Sequence, residues 1–247
     1  MITLDELKEA RRKRKMTLYY EEKEYLQYIF LNAISRHYKN FTFKGGTCLR
    51  ICYGLERASE DLDFSTNLGV SKIKEIVYNY LKEFDLLNIH HKVYSEKEFE
   101  GNFRIEIRFE GPLFSGDLRS TNTVKIDFNK RKAKSSVARV VQKLFSDVPL
   151  FTIAVLSEEE IFSEKVRALV NRGEPRDLYD VWALMSKGVK ADKRLILEKL
   201  REEHSKINNL KFPTRQEYEI GLKNLVEFLP RYEQVKAEVY KIIKGLQ

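Results

Sequence analysis

Two aspartates one residue apart stand in Asp61-Leu62-Asp63-Phe64, shortly after a Lys44-Gly45-Gly46-Thr47 turn. Along a strand, residues i and i+2 point to the same face. Asp61 and Asp63 therefore project together, and Leu62 and Phe64 turn to the core. Carboxylates about 7 Å apart on one strand repel unless a cation sits between them. Mg²⁺ commonly uses one or two carboxylates and completes its shell with substrate phosphates. A solvated edge strand with its aspartates in water is the plainer alternative. Phe41-Thr42-Phe43 reads as a strand, and Gly45-Gly46 lets the backbone come close to a ligand. Thr47 then reads as the N-cap of a helix over residues 48–53. A glycine turn opening a helix suits a phosphate, although two glycines also make an ordinary turn. A third acid lies in Thr123-Val124-Lys125-Ile126-Asp127-Phe128, where period-two alternation puts Lys125 and Asp127 opposite the apolar residues. Asp127 could serve as a general base or as a further metal ligand. Together these residues imply nucleotidyl transfer from a nucleoside triphosphate.

Strands and helices must position these groups. Helical spacing predicts helices over residues 4–15, 19–38 and 71–84, with Tyr25, Leu26, Ile29, Phe30, Ala33 and Ile34 as core in the second. Strands are expected over 91–94, 103–109, 123–128 and 150–156. Arg104, Glu106 and Arg108 line one face of the second of these, against Phe103, Ile105, Ile107 and Phe109. Residues 111–116 read as a loop. Ser157 and Glu160 form a capping-box pattern for a helix ending at Gly173, and Pro175 opens the next, closed by Gly188. Further helices are expected over 191–204, 214–228 and 231–245, with no strand after 156. The fold class is α+β. The expected division is 1–156, a core with N-terminal helices, and 157–247, a helical lobe.

The chain has 247 residues, 43% hydrophobic and 33% charged, enough for a substantial core. No run reaches membrane-span length and no secretory leader is visible, so a cytoplasmic location is expected. The net charge of +8 favours polyanionic partners such as nucleic acid or an acidic protein. Arg11-Arg12-Lys13-Arg14-Lys15 is a basic cluster. Residues 129–146 form a second basic stretch, either bordering a polynucleotide path or a solvated loop. Cys48 and Cys52 share a helix face and read as free thiols. His37, His90, His91 and His204 show no zinc-ligand spacing with them.

Lys44-Gly45-Gly46-Thr47, an intervening helix and Ser59-Glu60-Asp61-Leu62-Asp63-Phe64-Ser65 resemble the nucleotidyltransferase core of the AbiEii/AbiGii toxin family. Glu164-Lys165 and Arg176-Asp177-Leu178-Tyr179-Asp180 are similar to its later motifs, so the likeness spans roughly residues 20–190. It implies a DNA polymerase β-like fold: a mixed nucleotidyltransferase sheet flanked by helices, followed by an all-helical lobe. Gly-Gly-Thr replaces the Gly-Ser of the wider superfamily. The resemblance implies Mg²⁺, with Mn²⁺ as an alternative, on Asp61, Asp63 and Asp127. It implies phosphate contacts from Lys44, Gly45, Gly46, Thr47, Lys165 and Arg176, and catalytic roles for Asp61, Asp63, Asp127, Lys165, Asp177 and Asp180. Lys165 could instead snorkel from an apolar face, and Asp177 and Asp180 could be helix-start acids paired with Arg176. The implied partners are a nucleoside triphosphate, tRNA at its 3′ end or a protein hydroxyl as acceptor, and a cognate antitoxin, in a toxin–antitoxin or phage-defence setting. Two rival readings are a small-molecule, antibiotic-type nucleotidyltransferase and a degenerate nucleotidyltransferase-fold binding protein or antitoxin.

Overall fold

The computed structural model describes residues 1–14 and 16–246. Lys15, the last of the first basic cluster, lies outside the described residues. The chain forms two compact units, one of Met1–Gly54 with Ala58–Leu156, the other of Leu55–Arg57 with the chain from Ser157 onward.

The first unit opens with α1 (Leu4–Arg14) and α2 (Leu18–Ile34), the latter capped by the Thr17 side chain, which accepts from the Tyr20 N–H. Next come β1 (Phe41–Lys44), α3 (Gly45–Tyr53), β2 (Asp61–Thr66), α4 (Val70–Leu86), β3 (His91–Phe99), β4 (Asn102–Phe109), β5 (Asn122–Asn129), β6 (Ser136–Val141) and β7 (Phe151–Leu156). All seven strands join one mixed sheet in the order β3-β4-β5-β2-β1-β7-β6. Strand β2 runs antiparallel to β1 and parallel to β5. Glu100 and Gly101, both at positive φ, make the two-residue turn between β3 and β4, the chemistry a tight hairpin needs.

Helices α2 and α4 pack on one face of this sheet. That face is apolar: Phe43, Leu62, Phe64, Phe103, Ile105, Ile126 and Phe128 are buried. The Phe64 and Phe128 rings stack at 5.3 Å, joining the two strands that carry the acids. The residues expected as the core of α2 are buried, but so are its charged residues Glu21, Glu22, Lys23 and Glu24. Glu22 accepts from the Leu113 N–H and the Asn122 side chain, and Gln27 donates to the carbonyls of Ser59 and Glu60. The N-terminal half of α2 thus braces the starts of β2 and β5.

Two expectations are corrected. Helix α3 begins at Gly45, with Lys44 as its N-cap, so Thr47 lies inside the first turn and is not the cap. Part of the second basic stretch is strand β6, paired antiparallel with β7. It is a sheet edge exposed on both faces up to Val140, so it carries no apolar alternation to read.

The second unit is helical: α5 (Glu158–Arg172), α6 (Pro175–Ser186), α7 (Lys193–Arg201), α8 (Arg215–Leu222) and α9 (Tyr232–Gly245). Ser157 caps α5 by accepting from the Glu160 N–H, and Gly173 ends it at φ 67°. Pro175 opens α6, where its missing N–H costs no helical bond. Helix α8 stops short of residue 228, and Val226 instead forms an isolated antiparallel bridge to Arg57. Among the described residues, no helix is long and apolar enough to cross a membrane.

Candidate active site

The first unit brings together the glycine turn and all three strand aspartates. Strand β2 exposes Asp61 and Asp63 partially while burying Leu62 and Phe64, as the period-two pattern requires. In the parallel register Asp63 stands opposite Asp127, and Asp61 opposite Lys125. On the other side, Lys44 stands opposite Asp63. The three carboxylates therefore share one sheet face across two adjacent strands.

Gly45 has φ +80°, and the Asp63 Oδ2 atom lies 2.3 Å from where a Cβ on Gly45 would sit. No other residue allows this approach. It sets the Asp63 carboxylate against the N-terminus of α3, whose first N–H groups have no helical acceptor. Thr47 is fully buried and turned inward: its hydroxyl donates to the Asp61 carbonyl and lies 2.9 Å from Ser59 Oγ. Its side chain ties α3 to the start of β2. What Thr47 can offer a phosphate from this position is its backbone N–H.

Cations offset the acids. Lys125 Nζ lies 2.6 Å from Asp61 Oδ2, and Arg104 Nε donates to Asp127 Oδ1 at 2.6 Å. Lys23, on α2, donates to the Thr123 carbonyl; burial pulls its amine below the usual lysine range, partly countered by Glu60 and Asp61. Sequence reasoning missed these three partners. It had placed Lys125 and Arg104 on the correct faces, but only the strand register pairs them with the acids. Lys23 lies in a charged run that carries no mark of burial.

Among the described residues, no three or more His, Cys, Asp or Glu side chains converge closely enough to hold a metal ion alone. Asp61 and Asp63 still fit a hard divalent cation in the manner usual for Mg²⁺, two protein carboxylates with substrate phosphates completing the shell. Asp127 is held toward Arg104.

The second unit gathers the later motifs. Lys165 on α5 lies 2.8 Å from Asp180 and 3.4 Å from Asp177, both on α6 and both fully buried. Arg57 forks onto Asp180, Nε to Oδ1 at 2.6 Å and Nη2 to Oδ2 at 2.7 Å. Arg172 does the same to Asp177 at 2.6 and 3.0 Å. Burial pushes the Asp180 carboxyl up, but Arg57 and Lys165 outweigh it and hold it below the usual range. Burial likewise lowers Lys165, and Asp180 and Asp177 outweigh it, so its charge is firmly held. Arg176 is half-buried at the start of α6. Arg57 had no signal in the sequence, since its partner lies 123 residues away.

The profile described as the nucleotidyl transferase AbiEii toxin of type IV toxin–antitoxin systems matches residues 29–240. No curated protein matches the chain. Among solved structures, the nucleotidyltransferase toxin MenT4 of Mycobacterium tuberculosis superposes with a TM-score of 0.71 at 18% identity, covering 100% of this chain and 90% of its own. JHP933 of Helicobacter pylori gives 0.63 at 18% identity, covering 94% and 93%. At such identity these likenesses bear on the fold, which they share; the family match reaches further, across most of both units. The chain belongs to the AbiEii family of nucleotidyl transferase toxins of type IV toxin–antitoxin systems, and is a nucleotidyltransferase.

Proposed function

We propose that the chain transfers a nucleoside monophosphate from a nucleoside triphosphate to the 3′ end of an RNA, tRNA first among candidates, as a cytoplasmic toxin restrained by a cognate antitoxin. The observation that carries this reading is the placement of Asp61 and Asp63 on one strand, against the opening of α3 and in register with Asp127. The N–H groups at Gly45, Gly46 and Thr47 receive the triphosphate, where helix-end dipoles favour negative charge. Lys44 beside Asp63 adds fixed positive charge, and the family motif makes Lys165 and Arg176 the phosphate-contacting cations of the second unit. Asp177 and Asp180 orient Lys165.

A divalent cation, Mg²⁺ or Mn²⁺, on Asp61 and Asp63 would supply charge stabilisation at the phosphate oxygens. Asp127, oriented by Arg104, accepts the proton of the attacking hydroxyl. The hydroxyl oxygen bonds to the α-phosphorus, the bond to the bridging oxygen breaks, and pyrophosphate leaves. Such transfers depend on positioning and electrostatics, which is the equipment on this face. The net charge of +8 favours a polyanionic acceptor over a small molecule, and a phage-defence role is compatible with a toxin of this kind.

The test uses the full chain with Mg²⁺, each α-labelled nucleoside triphosphate in turn, and total tRNA. Label on RNA supports the reading and names the nucleotide. Label on the protein moves the acceptor to a side-chain hydroxyl. Transfer only to small hydroxylated or amino-bearing compounds contradicts the RNA assignment.

A further inference from the structure

The face that carries the three aspartates continues onto β4 and β3. There Arg104, Glu106 and Arg108 stand half-buried, opposite the buried Phe103, Ile105, Ile107 and Phe109. Their cross-strand partners on β3 are Lys97 for Arg104, Ser95 for Glu106 and Lys92 for Arg108, and Phe99 pairs with Asn102 at the hairpin end. The pairing slips between Val93 and Ser95, leaving Tyr94 as the extra residue. Such a bulge re-aims a side chain, and the Arg108 guanidinium sits 4.6 Å from the Tyr94 ring centre. The Arg104 guanidinium lies 5.9 Å from the Phe99 ring. Both rings face solvent: Tyr94 is 63% and Phe99 45% exposed. On β3 and β4 this face holds four cations, Lys92, Lys97, Arg104 and Arg108, against one carboxylate, Glu106, and Arg104 is also paired with Asp127 on neighbouring β5.

Exposed rings paired with guanidinium planes on a sheet are the means by which unstacked bases are held. The surrounding cations attract phosphates. A paired helix offers no free base faces, so this surface suits a single strand. Arg104 links the two ends of the path, its Nε donating to Asp127 and its guanidinium 5.9 Å from the Phe99 ring centre. From β5 to β3 is about 10 Å, two strand spacings.

We propose that the open face of β3 and β4 is the docking platform for the unpaired 3′ end of the acceptor RNA. Tyr94 and Phe99 stack on its bases, and Lys92, Lys97, Arg104 and Arg108 meet its phosphates. The inference rests on the nucleotidyl-transfer reading for what happens at the Asp127 end of the path.

The test measures fluorescence anisotropy of an RNA hairpin with a short unpaired 3′ tail, beside a blunt hairpin, on the full chain. Tyr94→Ala and Phe99→Ala should each weaken binding of the tailed RNA roughly 5- to 150-fold. Arg108→Lys, which keeps the charge and loses the plane, should weaken it as well. Tyr240→Ala, at an exposed ring on α9, should leave it unchanged. Melting curves of all variants check the fold. Equal affinity for tailed and blunt RNA, or variants indistinguishable from wild type, would overturn the proposal. So would variants that keep RNA affinity but lose binding of the cognate antitoxin, which would make the face a protein interface. Transfer is read separately. A wild type that labels RNA, with the variants at unchanged KM, sinks the platform and leaves the transferase reading standing. A wild type that binds tailed RNA through Tyr94 and Phe99 yet labels no acceptor keeps the platform and sinks the transferase reading.

Discussion

Two glycines at opposite ends of α3 separate backbone strain from the placement of a carboxylate. Gly45 and Gly54 both have positive φ, at +80° and +67°. A Cβ on Gly54 meets nothing within 4 Å, whereas one on Gly45 would lie 2.3 Å from Asp63 Oδ2. Alanine at a left-handed position costs about 1–2 kcal/mol, of which a stiffer unfolded chain offsets about 0.4–1 kcal/mol. Gly54→Ala should therefore lose about 1 kcal/mol of stability and keep its activity. In Gly45→Ala the Asp63 carboxylate must also retreat by about 1 Å to reach ordinary contact at 3.4 Å. An off-rotamer side chain adds about 0.5–1.5 kcal/mol, so the total loss should be about 2 kcal/mol. The larger effect is on rate, because a displacement of about 1 Å costs on the order of 100-fold. Urea unfolding gives the stabilities, and initial rates of labelled-nucleotide transfer give the activities. If Gly45→Ala works as fast as Gly54→Ala, Asp63 does not act from the position the turn gives it.

Three further predictions follow from buried polar contacts. Thr47→Val removes the hydroxyl that joins α3 to the Asp61 carbonyl and Ser59; denaturant unfolding should show a loss of about 1–3 kcal/mol, and a value near zero would return the hydroxyl to the phosphate site. Lys165→Met strips one cation from buried Asp180 and Asp177, so stability should fall by about 3–5 kcal/mol, and an unchanged stability would show the network to be slack. Burial, opposed by Arg14, raises the Glu21 carboxyl from 4.5 to about 7. The folded state thus holds a proton between those values that the unfolded state has lost, and stability falls as pH rises through the window. Glu21→Gln lacks this loss, so its stability relative to wild type should climb by up to about 3 kcal/mol from pH 4.5 to 8; a flat difference in urea titrations across that range would refute the shift.

The sequence carried the parts of the site that depend on local period. Alternation in Asp61-Leu62-Asp63-Phe64 and in Val124–Phe128 correctly separated the charged face from the core, since a strand with one buried face must alternate. Ser157, Gly173 and Pro175 marked the ends of α5 and α6 because caps are chemically specific. Pairings across the chain were not legible. Arg57 meets Asp180 through tertiary folding alone, and Lys125 meets Asp61 only because of the parallel register. Strand β6 has no buried face and so no period. Residues 21–24 of α2 are all charged and carry no apolar period, yet they are buried, with Glu22 accepting from the Leu113 N–H and the Asn122 side chain. Thr47 looked like a cap from its type, but Gly45 lets the helix begin three residues earlier, with Lys44 as the cap.

The central claim is that Asp61 and Asp63 together drive the transfer. Single-turnover transfer from an α-labelled nucleoside triphosphate to tRNA with Mg²⁺, comparing wild type with Asp61→Asn and Asp63→Asn, tests it most directly. Both variants should stay folded and lose at least about 100-fold in rate, because charge placement supplies the catalysis. A folded variant within about tenfold of wild type, against that same scale, would contradict the account and move the chemistry off this strand.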